Sequence, residues 1–546
     1  MNKNYFPRGN ADWKEEHEPI ATAQWTSTDS TIKNFSHSDD DINPLLFGKL
    51  VDESGVERLL SHNDDAHIVT VAGSRAGKGI SLIVPNLLNY RGSAIVVDLK
   101  GENANITAQW RSEVLKQEVI VLDPFGETSF KSQSFNPLLF LNPDDKSFID
   151  DITDLAEALV VRGNAKESYW DDAARSVIKM ILIYIIMDHD LEDRNLWWLR
   201  ELILVGQSKS ERPDYQPPVF KTDASLSEEE NNEAREEVRK QTLKDNEISF
   251  LQFLKNLSKH DHPFVKGTAQ RLLQAGDNER GSIISTTQRN TEFLDSKCVS
   301  DTLKKNDFDL SSLRKGASIY LVLPELRLAG QSRWLRLLLT VFLRHLQIEK
   351  KQNKDDPSVL VILDEFAAMG YMQVIERAAG YIAGFGVRLW SVLQDLSQLK
   401  DVYPNRWETF IGNSGIYTAF GNVDLTTQEY TSKRLGKCET PRIEESYSGG
   451  SSHNENRAGF DQMAKSPLAA IDTGGSEGSS ETYNRKPAHV ISPLLLPEEV
   501  GRYFGKNTGK VLVLFGQGQP VFADRIIYFE DEPFKSRAGK NPLHDR

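Results

Sequence analysis

Residues Ala72-Gly-Ser-Arg-Ala-Gly-Lys-Gly79 follow directly on the apolar run His67-Ile-Val-Thr-Val71. A strand-length apolar run that breaks into small residues and a lysine, then resumes as Ile80-Ser-Leu-Ile-Val84, predicts strand, phosphate-binding loop and helix. Glycines let backbone N–H groups point inward at a phosphate with no Cβ in the way. The helix that follows offers the positive end of its dipole to the same anion. The cradle is therefore expected at Gly73, Ser74, Arg75, Ala76, Gly77, Lys78 and Gly79, with Lys78 reaching the β- and γ-oxygens as a point charge. The stretch departs from G-x-x-x-x-G-K-[ST] at two places: Ala72 replaces the first glycine, and Gly79 replaces the hydroxyl that ligates Mg2+. An ordinary small-residue turn between strand and helix would share this composition, so a second site has to decide.

That site lies far downstream. Ser358-Val-Leu-Val-Ile-Leu363 is an unbroken apolar run, long enough for a strand buried on both faces, and it ends in Asp364-Glu365. A carboxylate at the end of a buried strand is placed to hold Mg2+, here Asp364. Its neighbour Glu365 is placed to polarise the water that attacks a γ-phosphate. A solvated Asp-Glu pair is common taken singly; paired with an upstream phosphate loop it points to ATP hydrolysis. A third run, Val387-Arg-Leu-Trp-Ser-Val-Leu393, ends in Gln394-Asp395. A glutamine at a neighbouring strand tip can hydrogen-bond the γ-phosphate or the attacking water, coupling hydrolysis to the next segment. Together the three sites predict an α/β fold: a RecA-like P-loop NTPase with a mostly parallel sheet, using ATP and Mg2+.

The chain has 546 residues, enough for three or four domain-sized units or two large ones. Lys and Arg number 65 against 79 Asp and Glu, a net charge of −14, so the surface is not coated with basic charge for nucleic acid. DNA contact is expected only at a local basic surface such as a pore lining. Two cysteines, Cys298 and Cys438, and no Cys/His cluster argue against a disulfide or zinc scaffold and fit a reducing cytosol. The N-terminus has no signal-peptide pattern. The most apolar stretch, Val177 to Met187, is interrupted by Lys179 and falls short of the roughly 20 residues that span a bilayer.

Along the chain, residues 1–63 are polar and mixed, an adaptor segment with little core of its own. Strand–helix alternation over 64–147 forms the first part of the ATPase domain, with Ala94–Asp98 and Val119–Asp123 as strands. From 148 to 310 helix-period segments replace strands and predict an inserted all-α domain, in which Ser227–Lys244 is a charged exposed helix or arm. The ATPase domain resumes over 311–445 with strands at Ser318–Leu323, 358–363, 387–393 and Ile416–Phe420. It closes over 485–530 with Val511–Phe515. The Gly/Ser-rich stretch 446–484 reads as a flexible loop and 531–546 as a polar tail.

Read in order, the chain carries Ala21-Thr-Ala-Gln-Trp25, the loop with Val84-Pro-Asn-Leu-Leu88, Asp98-Leu-Lys-Gly-Glu-Asn103, Asp123-Pro-Phe-Gly126 and Phe135-Asn-Pro-Leu138. Tyr169-Trp170, Leu363-Asp-Glu-Phe366, Leu393-Gln-Asp-Leu-Ser-Gln-Leu399, Gly412-Asn-Ser-Gly415 and Phe420-Gly-Asn-Val-Asp424 follow. From about Ala21 to Phe529 it resembles the type IV coupling proteins of conjugation and type IV secretion (TraG/TraD-like). The number and order of the pieces carry the match. The resemblance implies a homo-hexameric RecA-like ATPase with an all-α domain. Such a protein recruits a relaxase-linked DNA strand or a substrate protein and passes it to a transmembrane secretion channel. It also implies roles: Lys78 on the phosphates, Asp364 on Mg2+, Glu365 on the water and Gln394 sensing the γ-phosphate. Most such relatives begin with two membrane-spanning helices, which this reading does not find here. A separate membrane protein would then hold the chain at the inner face of the bacterial membrane, unless it serves a soluble partner or the machinery has been reused.

Smaller signals remain. Arg377, Arg388 and Arg434 are candidates for an arginine finger across a subunit border, Arg388 foremost because a charge within a buried strand needs a partner or a nucleotide. Trp170, Trp197 and Trp198 read as helical core, His62, His260 and His262 as solvated histidines. Asp98, Lys100 and Glu102 either line the nucleotide site or close a loop over the sheet. Two other functions stay open at this point: a nucleotide-gated docking platform with little turnover, and a soluble DNA-pumping ATPase of a mobile-element or defence system.

Overall fold

The computed structural model describes residues 21–37, 44–160, 168–206, 228–349, 351, 353, 356–453 and 477–541. Thirteen strands are assigned among them: β1 (Leu45–Val51), β2 (Glu57–His62), β3 (His67–Ala72), β4 (Ala94–Asp98), β5 (Val119–Leu122), β6 (Ser318–Val322) and β7 (Val359–Leu363). The series continues with β8 (Val387–Leu393), β9 (Ser414–Phe420), β10 (Lys437–His453), β11 (Glu477–Pro493), β12 (Lys510–Phe515) and β13 (Val521–Asp524). Eleven form one sheet in the order β2-β1-β13-β12-β9-β3-β8-β7-β4-β6-β5. From β9 to β5 every pairing is parallel, and the strands beyond β9 join antiparallel.

The apolar runs fold this way because both faces of the parallel part are covered. Alternate residues of each strand enter different cores. Val69, Val71, Ile95, Val97, Val361 and Leu363 pack on one face. Ile68, Ala72, Ala94, Val96, Leu360 and Ile362 pack on the other. At about 1.5–3 kcal/mol per fully buried aliphatic side chain, both cores fix the register, since a one-residue slip would exchange the two sets.

The first of these cores runs on without a break into the inserted helices, through Ile152, Leu155, Ile178 and Ile181. Between residues 148 and 310 the described residues are helical or irregular. The helix Ser168–Asp188 forms their centre; in Glu228–Leu257 the charged stretch expected from 227–244 is mostly exposed, while Phe250, Phe253, Leu254 and Leu257 at its end are buried. The helix Glu325–Ile348, which leads from β6 to β7, ties them to the sheet: Arg344 Nε donates to Asp151 Oδ1 at 2.9 Å. No helix among the described residues is long and apolar enough to cross a membrane.

Three expectations change. The segment before residue 64 is more than an adaptor. Leu45, Leu46 and Phe47 are completely buried, β1 and β2 extend the sheet, and Phe35 stacks on Phe515 with ring centroids 4.1 Å apart. A wing strand buries a short stretch and leaves the rest half exposed, so it needs only the apolar triplet that the sequence shows. The tail is anchored too: Phe534 is buried beside Leu46, Val84 and Ile106, and Lys49 pairs with Asp531 at 2.6 Å. Residues 446–453 and 477–484 of the Gly/Ser-rich stretch are antiparallel partners in the β10–β11 arm, Ser446 opposite Asn484 and His453 opposite Glu477. Residues 454–476 lie outside the described residues.

Candidate nucleotide site

The carboxyl ends of β3, β8 and β7 sit side by side, with Val71 opposite Leu393 and Leu363 opposite Ser391. That juxtaposition brings Lys78, Gln394, Asp364 and Glu365 to one edge of the sheet, the place where open α/β sheets bind ligands. β8, carrying Gln394, lies between the loop strand and the acidic strand.

The loop is shaped by two left-handed residues, Arg75 at φ 55° and Gly77 at φ 93°. Ala76 N donates to Gly73 O at 3.1 Å, and Ser81 N to Gly77 O at 2.9 Å as the helical turn Gly79–Ile83 begins. Gly73 has no room for a side chain, because a Cβ there would stand 2.2 Å from Gly421 O. Gly421 is confined in turn by Ala76, 2.4 Å from where its own Cβ would be. The loop therefore rests on the Phe420-Gly-Asn422 turn after β9, and Asn422 Nδ2 clamps Val71 O at 3.1 Å. This geometry also explains Ala72. It is the last residue of β3, paired with Phe420 and fully buried, so it serves as sheet core where the motif has its first glycine.

Opposite the loop, Lys78 Nζ and Glu365 Oε1 form an ion pair at 2.6 Å. Glu365 occupies the left-handed region at φ 52°, a conformation that costs a non-glycine residue roughly 1–3 kcal/mol and is kept where the surroundings enforce it. Burial pushes the Asp364 carboxyl up to about 6; Lys78 pulls it down and Glu365 pushes it up. Asp98, at the tip of the adjacent β4, is pushed up to about 7 by burial, against the pull of the Ala104 and Lys100 backbone N–H groups and with a further push from Asp364. Two carboxyls held near neutrality by lack of solvent suit a cation. Mg2+ takes one or two protein carboxylates and fills its remaining positions with phosphate oxygens and water, so Asp364 with Asp98 nearby fits it. Gly79 contributes no hydroxyl to that set.

Arg388 does not join this site. It is the second residue of β8, at the opposite edge of the sheet, 2 % exposed, with Nε donating to Ala66 O at 3.2 Å and Nη2 3.7 Å from Asp64 Oδ1. A guanidinium sealed inside its own chain cannot act across a subunit border, so the arginine-finger assignment is withdrawn. Arg434 lies over the Tyr417 ring, and Arg377 lines a cavity of about 320 Å³ between the inserted helices and the motor, with Arg336, Arg344, Asp154 and Glu157. His62 and His260 each set a ring nitrogen within hydrogen-bonding distance of a carboxylate, Asp64 and Asp188, rather than standing free in solvent, and Trp198 packs on the core while Trp197 is exposed.

Residues 12–545 match the family model described as Type IV secretory system Conjugative DNA transfer. The chain belongs to that family. Among conjugative DNA transfer relatives, the conjugal transfer protein TraG of Escherichia coli is 22% identical over 98% of this chain and 79% of its own. Protein VirD4 of Agrobacterium fabrum is 24% identical over 94% of this chain and 66% of its own. The solved bacterial conjugative coupling protein TrwBdeltaN70 superposes with a TM-score of 0.59 at 14% identity, covering 95% of each chain. This chain thus has the coupling-protein fold, a RecA-like P-loop NTPase carrying an all-α domain.

Within that fold, sequence reasoning missed two features of the site. Gly421 and Asn422 lay in a recognised stretch, Phe420–Asp424, but nothing in their spacing showed that they underlie the loop. Arg525, whose Nη1 donates to Ala76 O, follows β13 and belongs to no motif.

Proposed function

We propose that this chain is a Mg2+-dependent ATPase that couples nucleotide turnover to moving a relaxase-linked DNA strand, single-stranded, or a substrate protein toward a type IV secretion channel. It works as a homo-hexamer held at the inner membrane face by a partner. The observation that carries the reading is the Lys78–Glu365 ion pair beside Asp364. Phosphates arriving in the loop compete for Lys78 and free Glu365 to accept a hydrogen bond from the attacking water, so the base is exposed only when nucleotide is present. Bound Mg2+ would neutralise the developing phosphate charge from Asp364, and Gln394 on the intervening strand would report the γ-phosphate to the segment that follows it. TrwB, solved with ADP and Mg2+ and with a non-hydrolysable ATP analogue, lends support to nucleotide and metal use in this fold.

The test is ATP turnover of the purified protein with and without single-stranded DNA, beside Lys78→Ala. Turnover that DNA raises and the variant abolishes is the expected result. Tight ATP binding with negligible turnover, unmoved by DNA, would instead favour a nucleotide-gated docking platform, the reading that Gly79 in place of a hydroxyl supports.

A further inference from the structure

The phosphate loop has an outer side, and an arginine covers it. Arg525 stands at the end of β13, its own N–H fixed on Gly509 O at 2.8 Å. Its side chain crosses from the antiparallel wing to the loop. Nη1 donates to Ala76 O, and Nη2 donates to Lys506 O at 2.7 Å. The guanidinium lies over the Phe420 ring, 5.2 Å from its centroid, and a Cβ on Gly77 would come 3.7 Å from Nη1. The Nε atom is buried without a hydrogen-bond partner. Burial pulls the guanidinium pKa down, with no carboxylate among the described residues pulling it back.

A trans peptide is planar, with its C=O and N–H pointing to opposite sides. Ala76 and Gly77 share one such peptide. Holding Ala76 O on the outer side turns the Gly77 N–H to the inner side, where a loop of this kind receives a phosphate. No carboxylate among the described residues pairs with the guanidinium, and in a partly desolvated setting its charge acts on an anion across the loop more strongly than it would in water.

We propose that Arg525 is a positioning residue for nucleotide: from behind the loop it aims the Gly77 N–H at the phosphate chain and adds a positive charge there. The assignment rests on the reading of the loop as a nucleotide cradle. Its reach is to phosphate chemistry, not to the base, so it bears equally on ADP, ATP and a bare polyphosphate.

The experiment compares wild type, Arg525→Met and Arg525→Lys by titration calorimetry with Mg2+–ADP and with inorganic tripolyphosphate, and by steady-state ATP turnover. Arg525→Met is expected to weaken both ligands about 10- to 100-fold, the range for one misdirected hydrogen bond to a charged group. It should raise KM by the same factor while kcat at saturating ATP stays near wild type. Arg525→Lys, which keeps one donor and the charge, is expected to recover most of the loss. A role confined to holding the fold would lower the melting temperature without this split and without rescue by lysine. Should the Met variant not fold, Arg525→Gln, too short to reach Ala76 O, takes its place with the same expected loss. Wild-type affinity in the Met or Gln variant, or a Lys variant no better than either, overturns the proposal while leaving the nucleotide reading intact. Failure of the wild-type protein to bind either ligand overturns both.

Discussion

The two edges of the parallel sheet hold buried charge in opposite ways. At the amino edge Arg388 is enclosed, with a backbone carbonyl and Asp64 beside it, and His67 is buried and pushed down to about 4 by desolvation and by Arg388. There the contacts are with the chain itself, and Arg388 Nη2 is buried without a hydrogen-bond partner. At the carboxyl edge Asp364 and Asp98 sit above their ordinary range, Glu365 is in a strained backbone conformation, and Lys78 spends its charge on the residue read here as the base. Strand β8 passes through both, entering at Arg388 and leaving at Gln394. Burial alone therefore does not mark a working charge. What distinguishes the carboxyl edge is that two carboxyls above their ordinary range sit beside an ion pair that a ligand could displace.

The sharpest way to break this comparison is at Glu365. Glu365→Gln is expected to keep ATP binding and lower turnover about 10²–10⁴-fold, the usual weight of a general base. Single-turnover hydrolysis beside equilibrium binding reads both, and wild-type turnover would remove the role assigned to Glu365. At the other edge Arg388→Ala should act on stability and not on chemistry. Loss of the buried side chain is expected to cost about 3 kcal/mol in denaturant unfolding, with turnover per folded molecule unchanged; a selective fall in turnover would restore Arg388 to the site. Gly73→Ala pushes a Cβ toward Gly421 O. Displacing the loop by that contact should raise KM for ATP about tenfold, or roughly 1.4 kcal/mol, and Gly421→Ala should do the same from the other side.

The remaining effect is a slope. Both Asp364 and Asp98 keep protons between the ordinary 3.8 and about 6 to 7, where unfolded carboxyls have lost theirs. The folded state therefore binds more protons there, and without nucleotide its stability falls as pH rises through that window. Asp98→Asn should flatten the melting temperature against pH between 4 and 7, and an unchanged profile would show that Asp98 does not titrate there.

Most of the architecture was legible in the sequence because a strand covered on both faces writes itself as an unbroken apolar run. Eight strands of the main sheet, and the helical stretch between 148 and 310, were readable on that ground. β1, β2 and β13 were not. They belong to a wing where burial is partial, so a triplet such as Leu45-Leu-Phe47 is all that shows. Lys78, Asp364, Glu365 and Gln394 were visible because each sits where an apolar run stops. Arg388 was misplaced for a reason the same rule contains: it lies one residue after such a run starts, at the edge of a parallel sheet away from its ligands. Arg525 had no readable signal. A lone arginine becomes informative only when the fold sets its donors on Ala76 O.

The ion pair between Lys78 and Glu365 joins residues 287 positions apart, and the contact of Arg525 with Ala76 joins residues 449 apart. As the polypeptide leaves the ribosome, the loop emerges well ahead of its acidic strand. The whole all-α domain is synthesised in between. The loop's outer support arrives later still, with Arg525. Nascent and truncated chains can therefore carry the phosphate motif without the rest of the pocket.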